Sequence, residues 1–223
     1  MSSVLGIFGG TFDPIHCGHL ELARELREAL GFSAVRFIPA GDPPHRAAPV
    51  ATPAHRLAMV ELAVEGQSGL EVDAREIHSA RRSYTVPTLE ELREEDPSRT
   101  LALIVGADSF LGLPTWHRWR DVFALAHLVV VPRPGVPLET ALPAVLADEW
   151  KKRLSADATA LTATPHGAIV LQQVTAHPIS ASAIRACLDR GPEGIAAVRG
   201  LLPAAVLAYI ERNQLYRSRQ DAT

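Results

Sequence analysis

"GIFGGTFDPIHCGHL" runs from Gly6 to Leu20, and its reading decides the fold. A short apolar run ends in two glycines. A threonine, an aspartate, a proline and two histidines follow before an amphipathic stretch begins. A strand-to-helix turn closes with far less polar chemistry than this; a ligand would use it. Gly9 and Gly10 carry no Cβ, so the backbone can approach a bound group closely. A helix beginning near Gly18 presents N–H groups and the positive end of its dipole to the same place. Thr11 can donate a hydroxyl to a phosphate oxygen. His16 and His19, three residues apart, can face one site across a single turn. The combination suits a phosphate whose charge rises during a reaction.

Other readings of the stretch fail on specifics. A dinucleotide fingerprint requires G-x-G-x-x-G and a P-loop requires G-x-x-x-x-G-K-[ST]; neither occurs here. Zinc binding by His16 and His19 would need further ligands at suitable spacing, and no H-E-x-x-H is present. No metal-ligating residues are assigned.

Outward from this stretch, short runs rich in Val, Ile and Leu alternate with helical patterns. Val4–Phe8, Ala34–Pro39, Leu70–Ala74, Leu101–Val105, Leu128–Val131 and Ala168–Val174 read as strands. Several are continuously apolar, which suits strands covered on both faces. Gly18–Leu30, Pro53–Glu65, Thr88–Glu95, Arg118–Ala126, Pro137–Leu154 and Ser180–Asp189 read as helices, as does the closing "LLPAAVLAYIERNQLY" (201–216), which carries Pro203 near its first turn. Repeated β-α alternation predicts an α/β fold with a doubly wound parallel sheet. Ligands then bind beyond the carboxyl ends of the strands, in the loops after Phe8, Pro39, Val105 and Val131. We expect one domain over residues 1–223, with a C-terminal helical portion over about 178–217.

Composition sets the broad class. The chain has 223 residues, 47% hydrophobic and 21% charged, with a formal net charge of −3. That balance argues against a nucleic-acid binder working by bulk electrostatics. No run approaches the roughly 20 apolar residues a membrane span requires. Cys17 and Cys187 form no framework, and the start carries no basic segment ahead of an apolar one. The expectation is a reduced, cytoplasmic protein that uses neither nucleic acid nor membrane. Only two lysines occur, Lys151 and Lys152, so arginine can stand where lysine is usual.

Specific motifs carry a resemblance. "GTFDPIHCGH" (10–19) resembles the G-x-F-D-P-x-H-x-G-H signature of the nucleotidyltransferase superfamily, and "ISASAIR" (179–185) resembles its I-S-S-T-x-I-R signature. Between and beyond them, "PAGDPPHR" (39–46), "SYTVPTLEELR" (83–93), "LIVGADSFLGLPTWHRW" (103–119), "VVVPRPG" (129–135) and the closing segment resemble bacterial nicotinate-nucleotide adenylyltransferases. That resemblance spans nearly the whole chain. It implies a Rossmann-like nucleotidyltransferase fold. The implied reaction is nicotinate mononucleotide plus ATP to deamido-NAD and pyrophosphate, in line and with no covalent intermediate, a step of NAD biosynthesis.

The resemblance also distributes roles. His16, His19 and Arg185 would be catalytic. Gly9, Gly10, Thr11, Phe12, His45, Arg46, Gly106, Asp108, Ile179, Ser180 and Ser182 would bind ATP, Asp108 by accepting from a ribose hydroxyl. Thr85, Trp116 and His117 would bind nicotinate mononucleotide, with Trp116 stacked on the pyridinium ring and backbone N–H groups near Thr85 and His117 on the carboxylate. Mg²⁺ would arrive with ATP and need few or no protein ligands. Trp119 and Tyr84 read as packing residues, and Arg133 as either lining the adenine side or capping a loop. Three departures stand out: Arg46 for lysine, Pro87 for an acidic residue, and Ala181 for a hydroxyl. Preference for nicotinate over nicotinamide rests on the resemblance alone, and monomer and homodimer stay equally open.

Overall fold

The computed structural model describes residues 4–43, 48–132, 138–175 and 177–217. Its first half holds β1 (Val4–Gly10), α1 (Cys17–Leu30), β2 (Ala34–Pro39), α2 (Pro53–Val64), β3 (Leu70–Val72), α3 (Arg75–His78) and α4 (Thr85–Glu95). The middle holds β4 (Thr100–Gly106), α5 (Ala107–Leu111), α6 (Val122–Leu125), β5 (His127–Val131), α7 (Leu138–Ala141) and α8 (Ala144–Arg153). The rest holds α9 (Ala160–Ala163), β6 (Ile169–Leu171), α10 (Ala181–Leu188), α11 (Pro192–Val198) and α12 (Ala204–Arg212).

Among the described residues the strands form one sheet in the order β3-β2-β1-β4-β5-β6, every pair parallel. This is the doubly wound α/β sheet that the sequence pattern predicts. Successive residues of each strand serve opposite faces. Val4, Val35, Phe37, Ala102, Ile104 and Val129 join α1, α2 and α10–α12 in one core. Leu5, Ile7, Leu101, Leu103, Leu128 and Val130 join α4–α6 and α8 in the other. With both faces covered, continuous apolar runs are what the strands require. The C-terminal helices thus share a core with α1, and the Cys17 N–H donates to the Leu201 carbonyl at 2.9 Å.

Local rules account for the element ends. α1 stops at Gly31, whose φ of 65° is left-handed and whose N–H returns to the Arg27 carbonyl. α4 begins at Thr85, three residues before the position the sequence pattern suggests. Pro87 falls in its first turn, where a missing N–H costs nothing because no intrahelical acceptor exists there. The helix expected over Arg118–Ala126 is instead a 3-10 turn at Trp119–Asp121 followed by α6, because Arg118 takes φ 53° and cannot lie in a right-handed helix. The helix expected over Pro137–Leu154 is divided into α7 and α8 ahead of Ala144, with Pro143 at the break; Pro137 itself lies outside the described residues. α3, α5, α9 and α11 have no counterpart in the sequence reading. All are of seven residues or fewer, too short for periodicity to show.

Gly10 and Phe12 set the shape of the turn after β1. Phe12 is 4% exposed and takes φ 49°, turning its ring back onto β1. A Cβ on Gly10 would lie 2.8 Å from that ring, whereas one on Gly9 would meet nothing within 4 Å. Gly10→Ala should therefore lower the unfolding free energy by about 1–3 kcal/mol. Gly9→Ala should stay within about 0.5 kcal/mol of wild type. Urea denaturation of the pair checks this.

Candidate active site

β1 pairs with β2 on one side and β4 on the other, while the crossovers from β1 and β4 run in opposite directions along the sheet. Their carboxyl ends therefore open a crevice. The register that pairs Ile7 with Leu103 brings Gly9 and Gly10 to the same end of the sheet as Gly106 and Asp108. Gly106 caps α5 with open space where a Cβ would be, and Asp108 lies in that helix's first turn. Phe12, by contrast, gives its side chain to the core. Its ring lies edge-on to Phe8 at 5.7 Å and to His19 at 5.1 Å, so contact with a ligand could come only from its backbone.

His16 is the N-cap of α1 and His19 its third residue. The His16 N–H donates to His19 Nδ1 at 3.3 Å, so a neutral His19 carries its proton on Nε2. The two rings stack with centroids 3.7 Å apart. His16 is 6% exposed, its Nδ1 has no hydrogen-bond partner among the described residues, and burial pushes its imidazole down to about 4. At neutral pH His16 is an uncharged ring. It can meet an anion as a hydrogen-bond donor, not as a resident cation.

The second signature arrives at the same place. Ser180 caps α10 and its Oγ accepts from the Ala183 N–H at 3.5 Å, so the hydroxyl missing at Ala181 is not needed for the cap. Arg185, on α10, donates through Nη1 to the Asp13 carbonyl at 2.7 Å and through Nη2 to Ser182 Oγ at 3.5 Å. Ile184 shares a core with Phe12 and Ile15. The starts of α1 and α10 therefore belong to one site, joined across 172 positions of sequence. Ile179, just ahead of the cap, is half-buried and turns through an N–H bond to the His177 carbonyl at 2.7 Å.

On the other flank, Thr85 is the first residue of α4, where helix geometry leaves an N–H without an intrahelical acceptor. The ring of Tyr84 lies 4.7 Å from that of His117, which joins the Thr85 and His117 segments. Trp116 is half-buried against the core, and Trp119 is a core residue at 8% exposure. His45, Arg46 and Arg133 lie outside the described residues. Among the described residues there is no group of three or more His, Cys, Asp or Glu side chains placed to hold a metal ion, and no helix long and apolar enough to cross a membrane.

Three residues that the sequence reading left without a role frame the site. Asp13 is 5% exposed; its carboxylate accepts from the Val50 N–H at 2.8 Å, the Ala51 N–H at 3.1 Å and the Tyr216 hydroxyl at 2.8 Å. Arg56, with no exposed surface, donates to the Thr11 carbonyl at 2.8 Å and the Gly41 carbonyl at 2.9 Å. Asp13 was visible inside the first signature. Arg56 on an amphipathic helix reads as a solvated charge, and Tyr216 lies 203 positions from its partner, so no local pattern marks either.

Comparison with known proteins gives the family. The cytidylyltransferase-like family matches residues 7–187. A protein of Dechloromonas aromatica (strain RCB) named "Probable nicotinate-nucleotide adenylyltransferase" is 50% identical over 220 residues, covering 98% of this chain and 100% of its own. One of the same name from Laribacter hongkongensis (strain HLHK9) is 48% identical over 219 residues, covering 98% and 96%. The chain belongs to the nicotinate-nucleotide adenylyltransferase family. Its fold is also that of the Plasmodium falciparum nicotinic acid mononucleotide adenylyltransferase complexed with NaAD. There the TM-score is 0.70 at 15% identity, over 96% of this chain and 97% of the other.

The neutral His16 has a consequence for stability. Above pH 6.5 both the folded and the unfolded chain carry the uncharged ring. Between about 6.5 and 4 the unfolded chain binds a proton that the folded chain excludes, so stability falls as pH drops through that window. The loss is on the order of 3 kcal/mol. Urea midpoints measured from pH 7 to 4.5 should fall less steeply for His16→Asn, which cannot titrate, than for wild type.

Proposed function

We propose that this chain transfers the adenylyl group of ATP to nicotinate mononucleotide, giving deamido-NAD and pyrophosphate. Identity of 48–50% to family members over 98% of the chain is the observation that carries this reading. The mononucleotide phosphate oxygen attacks the α-phosphorus of ATP, the bond to the bridging oxygen breaks, and pyrophosphate departs with its electron pair. The attacking oxygen is already anionic, so no protein base is needed. Positioning and charge stabilisation supply the rate.

The residues divide that work. Backbone groups of Gly9, Gly10, Thr11 and Phe12 hold the joined phosphates at the start of α1. His16 donates a neutral hydrogen bond, and His19 offers its Nε2 proton to charge gathering near the α-phosphate. Ser180, Ser182 and Arg185 grip the β and γ phosphates at the start of α10, with Ile179 leading into that turn. His45 and Arg46 add positive charge from the loop after β2. Gly106 allows close approach, and Asp108 accepts from a ribose hydroxyl. The N–H groups near Thr85 and His117 receive the nicotinate carboxylate, and Trp116 stacks on the pyridinium ring.

The donor set of amides, hydroxyls, imidazoles and guanidinium fits an anion. The Asp13 carboxylate, surrounded by its own donors, is not offered to a cation. Mg²⁺ would therefore be held by the ATP phosphates, where it would offset their charge. The same reading makes the chain one catalytic unit, its C-terminal helices forming a wall of the site, and places it in the cytoplasm with its substrates.

Two measurements check the proposal. His19→Ala and Arg185→Ala should each fold with wild-type circular dichroism yet lose roughly 10²- to 10³-fold in kcat; wild-type turnover in either would remove that residue from the chemistry. Pyrophosphate release should be faster with nicotinate mononucleotide than with nicotinamide mononucleotide by roughly tenfold or more. Only the acid carries a charge to meet the α4 N-terminus. Equal rates would overturn the substrate assignment.

A further inference from the structure

A residue of the C-terminal segment, Tyr216, reaches the middle of the turn after β1. Tyr216 is 8% exposed, and its hydroxyl donates to Asp13 Oδ1 at 2.8 Å. It takes φ 65°, a left-handed conformation that a bulky residue adopts only when its surroundings demand it. Asp13 in turn joins two other segments. Its carboxylate receives the Val50 and Ala51 N–H groups, where the chain returns from the loop after β2. Its carbonyl receives Arg185 Nη1, and Arg185 Nη1 also lies 3.9 Å from Asp13 Oδ2. A carboxylate taken out of water has to be met on every side. Removing one donor therefore shifts the others rather than leaving a gap.

We propose that Tyr216 is a positioning residue for phosphate binding: through Asp13 its hydroxyl sets the turn before His16 and the guanidinium of Arg185. This rests on the reading that Arg185 and the 10–16 turn hold the phosphates of ATP. Burial and the neighbouring Asp13 hold the phenol far above its ordinary range, so it remains a donor at any pH the enzyme meets. The ring itself belongs to the core that α1, α2 and α10–α12 share. The arrangement predicts that deleting one oxygen, 203 positions from Asp13 in sequence, loosens ATP without loosening the acceptor.

Tyr216→Phe keeps the ring and the buried area and removes only that hydroxyl. ATP binding measured by calorimetry on the full chain, with no acceptor present, should weaken by roughly fivefold, while binding of nicotinate mononucleotide changes by less than about twofold. Amide exchange at Val50 and Ala51 should quicken in the same variant. In an Arg185→Ala background the further loss of ATP affinity on adding Tyr216→Phe should shrink to less than about twofold, because the two residues act through one carboxylate. Tyr209→Phe is the control. It removes a hydroxyl of α12 that bonds His55 Nδ1 at 2.9 Å and should leave ATP affinity unchanged. Unchanged ATP affinity in Tyr216→Phe, or an equal loss with and without Arg185, overturns the proposal, as does unaltered exchange at Val50 and Ala51. A wild-type chain that binds ATP and shows the coupling but releases no pyrophosphate would instead overturn the adenylyl-transfer reading and leave this one standing.

Discussion

A carboxylate removed from water has to be met by donors, and Asp13 is met by three from two distant segments, the Val50 and Ala51 amides and the Tyr216 hydroxyl. Left unpaired, such a charge would cost several kcal/mol. Paired, it fixes the course of the chain from the end of β1 to the start of α1. Arg56 braces the other side of the turn by taking the Thr11 and Gly41 carbonyls. The loop that would hold a triphosphate, on the reading proposed above, is thus defined by the polar bonds that Asp13 and Arg56 make.

The electrostatics follow from burial. Permanent cations at the centre are one way for an enzyme to handle polyanions. Here the resident groups are a neutral His16, stacked on His19, and an arginine already bonded to a backbone carbonyl. Helix N-termini supply oriented N–H groups without the desolvation cost of a full charge. Positive charge is added by Arg185 and, on the reading proposed above, by the loop after β2.

Much of this was legible in the chain. The alternation of apolar runs and amphipathic stretches specifies a doubly wound sheet because strands covered on both faces must be apolar throughout. Gly9, Gly10, His16 and His19 point to the anion site proposed above because two glycines at the end of β1 lead into a helix start that carries both histidines. Short elements were not legible. α3, α5, α9 and α11 are too brief for a period to form, and the break at Arg118 depends on a left-handed φ.

What the sequence alone determined is therefore the sheet and the family to which the chain belongs, since each depends on residues close together or on whole signatures. Tertiary structure decided the rest: that α10 meets α1, that Arg185 seats on Asp13, that Phe12 turns inward, and that Arg56 and Tyr216 bond the turn after β1. The reason is physical. A hydrogen bond between residues 13 and 216 leaves no periodicity behind, and a buried arginine or tyrosine is spelled no differently from an exposed one.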